Sequence, residues 1–312
     1  MPRKPESMMP SPDYQSLIDP ATWGFIHMTE AAYPPDTAQM TIADQRSVYN
    51  AMCRSFHAGH PPDVTASDMW IAGVPCRRYL SDKADPTPSV LYFHGGGFVV
   101  GGLDSHDDVC AELCSATRLT VVAVDYRLCP EHPHPSAYDD CLAVAQATKG
   151  PILLAGDSAG GGLAASVAHA LRGPRLLGQV LIYPGLGGRG TSYRRHAHAP
   201  MLTALDVDFY AQIRGAKADD PTANALAAED FTGLPPTLAL AAECDPLADD
   251  ATLYADRIRA AGGQAIAITE PGLVHGYLRA RHTVPRARAS FERITSTLSA
   301  MAKGHWPIGD AP

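Results

Sequence analysis

The sequence predicts an α/β fold, a mostly parallel eight-stranded sheet with helices on both faces. Three observations carry this. From Ser89 onward, short apolar runs alternate with helix-like stretches. The runs are continuously apolar, as in strands covered on both faces. The chain has 312 residues, enough for one large α/β domain with a sizeable core.

Taken in order, residues 1 to about 20 are rich in Pro, Ser and Asp and are expected to be loosely held. Trp23 to Tyr33 is aromatic and apolar without a firm period. Thr41 to His57 reads as an amphipathic helix: Thr41 is a suitable N-cap, and Val48, Tyr49, Met52, Cys53 and Phe56 recur at helical spacing. Thr65 to Leu80, with Gly73 in its middle, reads as a hairpin. Strands are then predicted at 89–93, 119–125, 152–155, 178–184, 237–242 and 265–269. Helices are predicted at 105–118, 138–149, 163–171, 248–261 and from about 285 to 301. The stretch Gly185 to Gly233 interrupts the alternation and holds one helical segment near Ala204 to Arg214. Residues 1–312 are therefore expected to form a single domain, with a helical cap built from about 1–60 and about 185–233.

The formal net charge is −8, and nothing in it suggests nucleic acid or an anionic membrane as a partner. The N-terminus leads into no signal-peptide core, and no apolar run is long enough to span a bilayer. The seven cysteines are scattered without Cys-x-x-Cys pairs. Cys110 and Cys114 can share a helix face, but two sulfurs alone make no zinc site. Reduced thiols and a cytoplasmic location are the expectation, with no metal or organic cofactor.

Four sites carry chemistry. Gly156-Asp157-Ser158-Ala159-Gly160 lies between a buried strand and an alanine-rich helix. It fits Gly-x-Ser-x-Gly, a sharp turn that exposes a serine above a sheet. His94-Gly95-Gly96-Gly97-Phe98 directly follows another strand. It lacks the endings of a phosphate loop and suits an oxyanion hole, whose donors would be the N–H groups of Gly96, Gly97 and Ala159. Asp245 follows the strand before the last, where Asp245-Pro246 by itself suits a helix N-cap. His275 follows the last strand. The order Ser158, Asp245, His275 is the one the α/β-hydrolase layout requires.

On these residues the chain resembles the hormone-sensitive-lipase-like (family IV) bacterial carboxylesterases. The resemblance also includes Asp125-Tyr126-Arg127, Pro130-Glu131-His132-Pro133, Leu234-Pro235-Pro236, and Asp249 after Asp245-Pro246-Leu247. Cys129 and His134 depart from the family pattern, in a structural segment. The resemblance implies a serine esterase acting on short acyl esters, with Ser158 as nucleophile, His275 as base and Asp245 orienting it. Asp157 reads as structural, and His94 as a brace for the glycine loop. The same triad serves an amidase or deacetylase, and relatives that have lost the base bind small molecules without turnover. A homodimer is compatible with the resemblance, and no residue here decides it.

Overall fold

A computed structural model describes residues 11–83 and 85–306. The N-terminal layer holds α1 (Tyr14–Leu17), α2 (Pro20–Ala31) and α3 (Ile42–Ser55). An antiparallel hairpin follows, β1 (Val64–Ile71) and β2 (Val74–Ser81), turning at Ala72-Gly73. Then come β3 (Asp85–Phe93), α4 (Asp107–Thr117), β4 (Leu119–Val124), α5 (Ser136–Ala147), β5 (Ile152–Asp157), α6 (Ala159–Leu171) and β6 (Leu176–Ile182). The interrupting segment contributes α7 (Thr191–Arg195) and α8 (Ala204–Arg214). The chain closes with β7 (Thr237–Cys244), α9 (Ala248–Ala260), β8 (Ala265–Val274) and α10 (Pro285–Ala302).

The eight strands form one sheet in the order β1-β2-β4-β3-β5-β6-β7-β8, antiparallel only where β2 meets β1 and β4. Successive strand residues point to opposite faces. Leu91, Phe93, Ile152 and Leu154 accordingly pack with Val144, Leu163 and Val167 of α5 and α6. Tyr92, Leu153, Ala155 and Val180 pack with Cys110, Leu113, Ile294 and Leu298 of α4 and α10. Each fully buried aliphatic side chain contributes about 1.5–3 kcal/mol, and both faces of the central strands are sealed in this way.

Register brings the functional loops together. Phe93 pairs with Gly156, Asp157 with Ile182, and Cys244 with Val274. The residues that follow these strand ends therefore leave the sheet at one edge.

The N-terminal layer is more ordered than the sequence suggests. The part of the loose-tail expectation covering residues 1–10 lies outside the described residues. Beyond it, Asp19 caps α2 by accepting from Thr22 N at 2.8 Å, with Pro20 in the first turn. The buried stripe is Thr22, Phe25, Ile26 and Thr29, at helical spacing. Two threonines in it dilute the apolar periodicity, which is why no period is visible. Thr41 caps α3 as expected, accepting from Asp44 N at 3.2 Å. β8 runs to Val274 instead of stopping at Thr269, across an irregularity in its pairing with β7. There Gly272 N donates to Glu243 Oε2 at 2.7 Å, restoring a bond the ladder loses.

Candidate active site

Ser158 sits between β5 and α6 with φ 54° and ψ −119°, a conformation unfavourable for any residue with a Cβ. Its backbone is clamped there. Ser158 N donates to Ile182 O at 2.9 Å, and Ser158 O accepts from Gly162 N at 3.1 Å and Gly185 N at 3.2 Å. The turn also needs glycine at 160, where a Cβ would collide with the Phe93 carbonyl oxygen. The Ser158 hydroxyl makes no capping bond to α6.

It meets His275 instead. His275 Nε2 lies 2.8 Å from Ser158 Oγ, and Nδ1 lies 2.7 Å from Asp245 Oδ2. Asp245 is buried, and its other oxygen accepts from Leu247 N at 2.8 Å. It thus takes part in the turn that leads into α9 while also facing the histidine. The Tyr183 ring lies against the imidazole, with centroids 4.9 Å apart.

The glycine loop runs beside this row. Gly96 (φ 125°) and Gly97 (φ 60°) share a cavity wall with Ser158, Ala159 and His275. A Cβ at Gly97 would come 2.5 Å from the Tyr210 ring of α8. The loop is anchored on both sides. Asp157, buried beneath it, accepts from Gly95 N at 2.9 Å and Tyr92 Oη at 2.8 Å, with His106 Nε2 3.2 Å away. Burial alone would push its pKa up, but His106 and these donors hold it below the usual carboxylate range. His94 is buried, stacked on Tyr126 with centroids 4.2 Å apart, and its Nδ1 lies 2.8 Å from Gly95 O. Burial pushes its pKa down to about 4, so it is neutral and its Nδ1–H donates to that carbonyl.

The cavity has a volume of about 720 Å³. Tyr33, Tyr49 and Met52 of the N-terminal layer line it, as do Val207, Tyr210 and Ala211 of α8. One face of α3 reaches two loops. Arg46 Nε donates to Val99 O just past the glycine loop, and its Nη2 to Cys129 O, each at 2.8 Å. Tyr49 and Cys53 accept from Arg279, four residues after His275. Sequence reasoning missed Arg46, Tyr49 and Arg279 as site-building residues, because each acts through partners more than 50 positions away.

Of the two departures from the family pattern, Cys129 is buried, and His134 Nε2 lies 3.1 Å from Asp220 Oδ2 and 3.0 Å from Thr222 Oγ1 of the interrupting segment. The seven cysteines are unpaired and buried. Among the described residues, one group has metal-ligand character: His57, His60 and Asp107. Asp107 already accepts from Arg77 Nη1 at 3.0 Å and Tyr79 Oη at 2.7 Å, so the cluster contains its own cation. Gly59 N donates to His57 Nδ1 at 2.9 Å, which leaves the proton on the nitrogen that would ligate. Among the described residues no helix is long and apolar enough to cross a membrane.

A strand-turn-helix serine, a histidine and a buried carboxylate in one row, beside a glycine loop, define an α/β hydrolase. A family profile described as "alpha/beta hydrolase fold" matches residues 90–279. The chain belongs to the hormone-sensitive-lipase-like family of carboxylic ester hydrolases within that fold. It is 38% identical over 294 residues to carboxylesterase NlhH of Mycobacterium tuberculosis, covering 84% of this chain and 92% of that protein. It is 35% identical over 247 residues to the ethyl acetate hydrolase of Pseudomonas putida, covering 72% and 78%. The hyperthermophilic esterase of the archaeon Pyrobaculum calidifontis superposes with TM-score 0.83 at 30% identity, covering 92% of this chain and 99% of that one.

Proposed function

We propose that the chain hydrolyses short-chain carboxylic esters through Ser158, His275 and Asp245. The observation that carries the reading is the unbroken row from Asp245 Oδ2 to His275 to Ser158 Oγ, with steps of 2.7 and 2.8 Å. His275 Nε2 takes the hydroxyl proton as Ser158 Oγ attacks the ester carbonyl. Asp245 accepts from Nδ1–H, fixing the tautomer and stabilising the imidazolium. The N–H groups of Gly96, Gly97 and Ala159 receive the charge that develops on the carbonyl oxygen, and each such donor contributes about 3–4 kcal/mol. His275 returns the proton to the leaving alcohol. Water, deprotonated by the same imidazole, then releases the acid and regenerates Ser158.

The preference for short acyl chains, acetyl to roughly hexanoyl, is supported by the aromatic side chains around the serine: Tyr33 after α2, Tyr49 of α3 and Tyr210 of α8. The Pseudomonas putida relative, named for ethyl acetate, points the same way. The reading treats the protein as a cytoplasmic single domain, its cap formed by about residues 1–60 and 185–233. Buried, unpaired thiols and cap residues lining the cavity support this. The test is hydrolysis of p-nitrophenyl esters of increasing acyl length. The reading expects kcat/KM to peak between acetyl and hexanoyl. Faster turnover of long-chain esters would exclude the short-chain assignment.

A further inference from the structure

The cavity holds two guanidinium groups without a carboxylate beside them, and one adjoins the loop that carries His275. Arg279 lies on the short 3-10 segment Tyr277–His282 and lines the cavity. Its Nε donates to Cys53 Sγ at 3.3 Å and its Nη2 to Tyr49 Oη at 2.5 Å. Its Nη1 has no protein partner among the described residues, and lies 3.8 Å from where a Cβ on Gly276 would stand. Tyr49 lines the same cavity. Its oxygen is taken as an acceptor by Arg279, so its own proton is left to donate. Burial pushes that phenol well above its ordinary pKa, which keeps the proton in place. Arg214, stacked 3.8 Å over the Phe98 ring, is the second unpaired guanidinium in the wall.

Three carboxylates line the cavity; none forms an ion pair with these cations, although the buried Asp157 charge acts on Arg279 from a distance. Asp157 is occupied by Gly95, Tyr92 and His106. Asp206 caps α8, accepting from Thr203 N at 2.8 Å. Glu30 is exposed on α2. Among the described residues, no carboxylate oxygen comes within 4.0 Å of Arg279 or Arg214. Arg279 is half-buried. Bracing α3 accounts for its Nε and Nη2, and leaves Nη1 open to the cavity.

We propose that Arg279, together with the Tyr49 hydroxyl, binds a carboxylate borne by the substrate, so that the preferred esters are anionic. This rests on the ester-hydrolase reading and adds a specificity determinant to it. The carboxylate is held by Nη1 and by the Tyr49 O–H, a charge-assisted pair of donors. No group is transferred to either residue.

The test compares two pairs of esters that differ only in one carboxylate. On the acyl side, mono-p-nitrophenyl glutarate is set against its methyl-capped diester, reading nitrophenol release. On the alcohol side, 4-acetoxybenzoate is set against methyl 4-acetoxybenzoate, reading phenol release. The wild-type protein should favour the anionic member of at least one pair by about tenfold or more in kcat/KM, expressed mainly in KM. Arg279→Met should collapse that ratio, and Arg279→Lys should restore part of it. A wild-type ratio near one in both pairs overturns the proposal, as does an undiminished ratio in Arg279→Met. If Arg279→Met does not fold, Tyr49→Phe decides: a reduced ratio supports the assignment and an unchanged one overturns it. Absence of turnover on all four esters by the wild-type protein would instead remove the ester-hydrolase reading, and this inference with it.

Discussion

His275 Nε2 stands 2.8 Å from Ser158 Oγ across 117 positions of sequence. Pairing of Cys244 with Val274 and of Asp157 with Ile182 delivers both residues, and Asp245 with them, to one edge of the sheet. Ser158→Ala is therefore expected to lower kcat on p-nitrophenyl acetate by roughly 10⁴- to 10⁶-fold. Its melting temperature should stay close to wild type, because the hydroxyl caps nothing in α6. Substantial turnover by the alanine protein would exclude Ser158 as the nucleophile.

Asp245→Asn tests the orienting role. The amide can keep the Leu247 N–H bond through its oxygen but then presents NH₂ to His275 Nδ1. That favours the wrong tautomer, and the expected loss is about 10⁴-fold in kcat. A loss below tenfold would reduce Asp245 to a turn residue.

Gly97→Ala drives a Cβ to 2.5 Å from the Tyr210 ring at a backbone φ of 60°. The loop or α8 must move, and a moved loop carries with it one of the N–H groups proposed as oxyanion donors. A loss of about 10²- to 10³-fold in kcat is expected. Crystals of the variant with an unmoved loop and full activity would dismiss this role.

Asp250 supplies a stability test. Burial pushes its pKa up to about 7, while its Oδ2 accepts from Leu186 N at 2.7 Å and Gly188 N at 3.3 Å. A carboxyl raised above its unfolded value of about 3.9 binds more protons folded than unfolded in between. Its contribution is thus full below about pH 4 and lost as pH rises through about 7, by at most about 4 kcal/mol. Asp250→Asn keeps one oxygen for both N–H groups and removes the titration. The melting temperature of the variant relative to wild type should be higher at pH 8 than at pH 5. A constant difference would show that Asp250 does not titrate in this range.

The sheet, its helices and the Ser158, Asp245 and His275 row were legible in the sequence because short signals carried them: continuous apolar runs, a glycine-flanked serine, and residues directly following strands. Helix α2 was not, since Thr22 and Thr29 occupy half of its buried stripe. Nor was the end of β8, where Pro271-Gly272 reads as a stop and Glu243 supplies the missing acceptor from the neighbouring strand. Arg46 and Arg279 carried no signal in the sequence, because only folding sets Val99 O beside the first and Tyr49 beside the second.

Helix α3 touches the glycine loop's far end through Arg46 and the histidine loop through Tyr49 and Cys53. The entrance and the Ser158–His275 row are thereby one mechanical unit: displacing this helix to let a bulkier molecule in also changes the spacing between glycine loop and imidazole. Redesign that widens the mouth by trading away those three positions would yield an enzyme that admits larger esters and turns them over slowly. Enlargement of the acyl space is better sought at Val207 and Ala211 of α8, which wall the cavity without the contacts that Tyr210 and Arg214 make with Gly97 and Phe98.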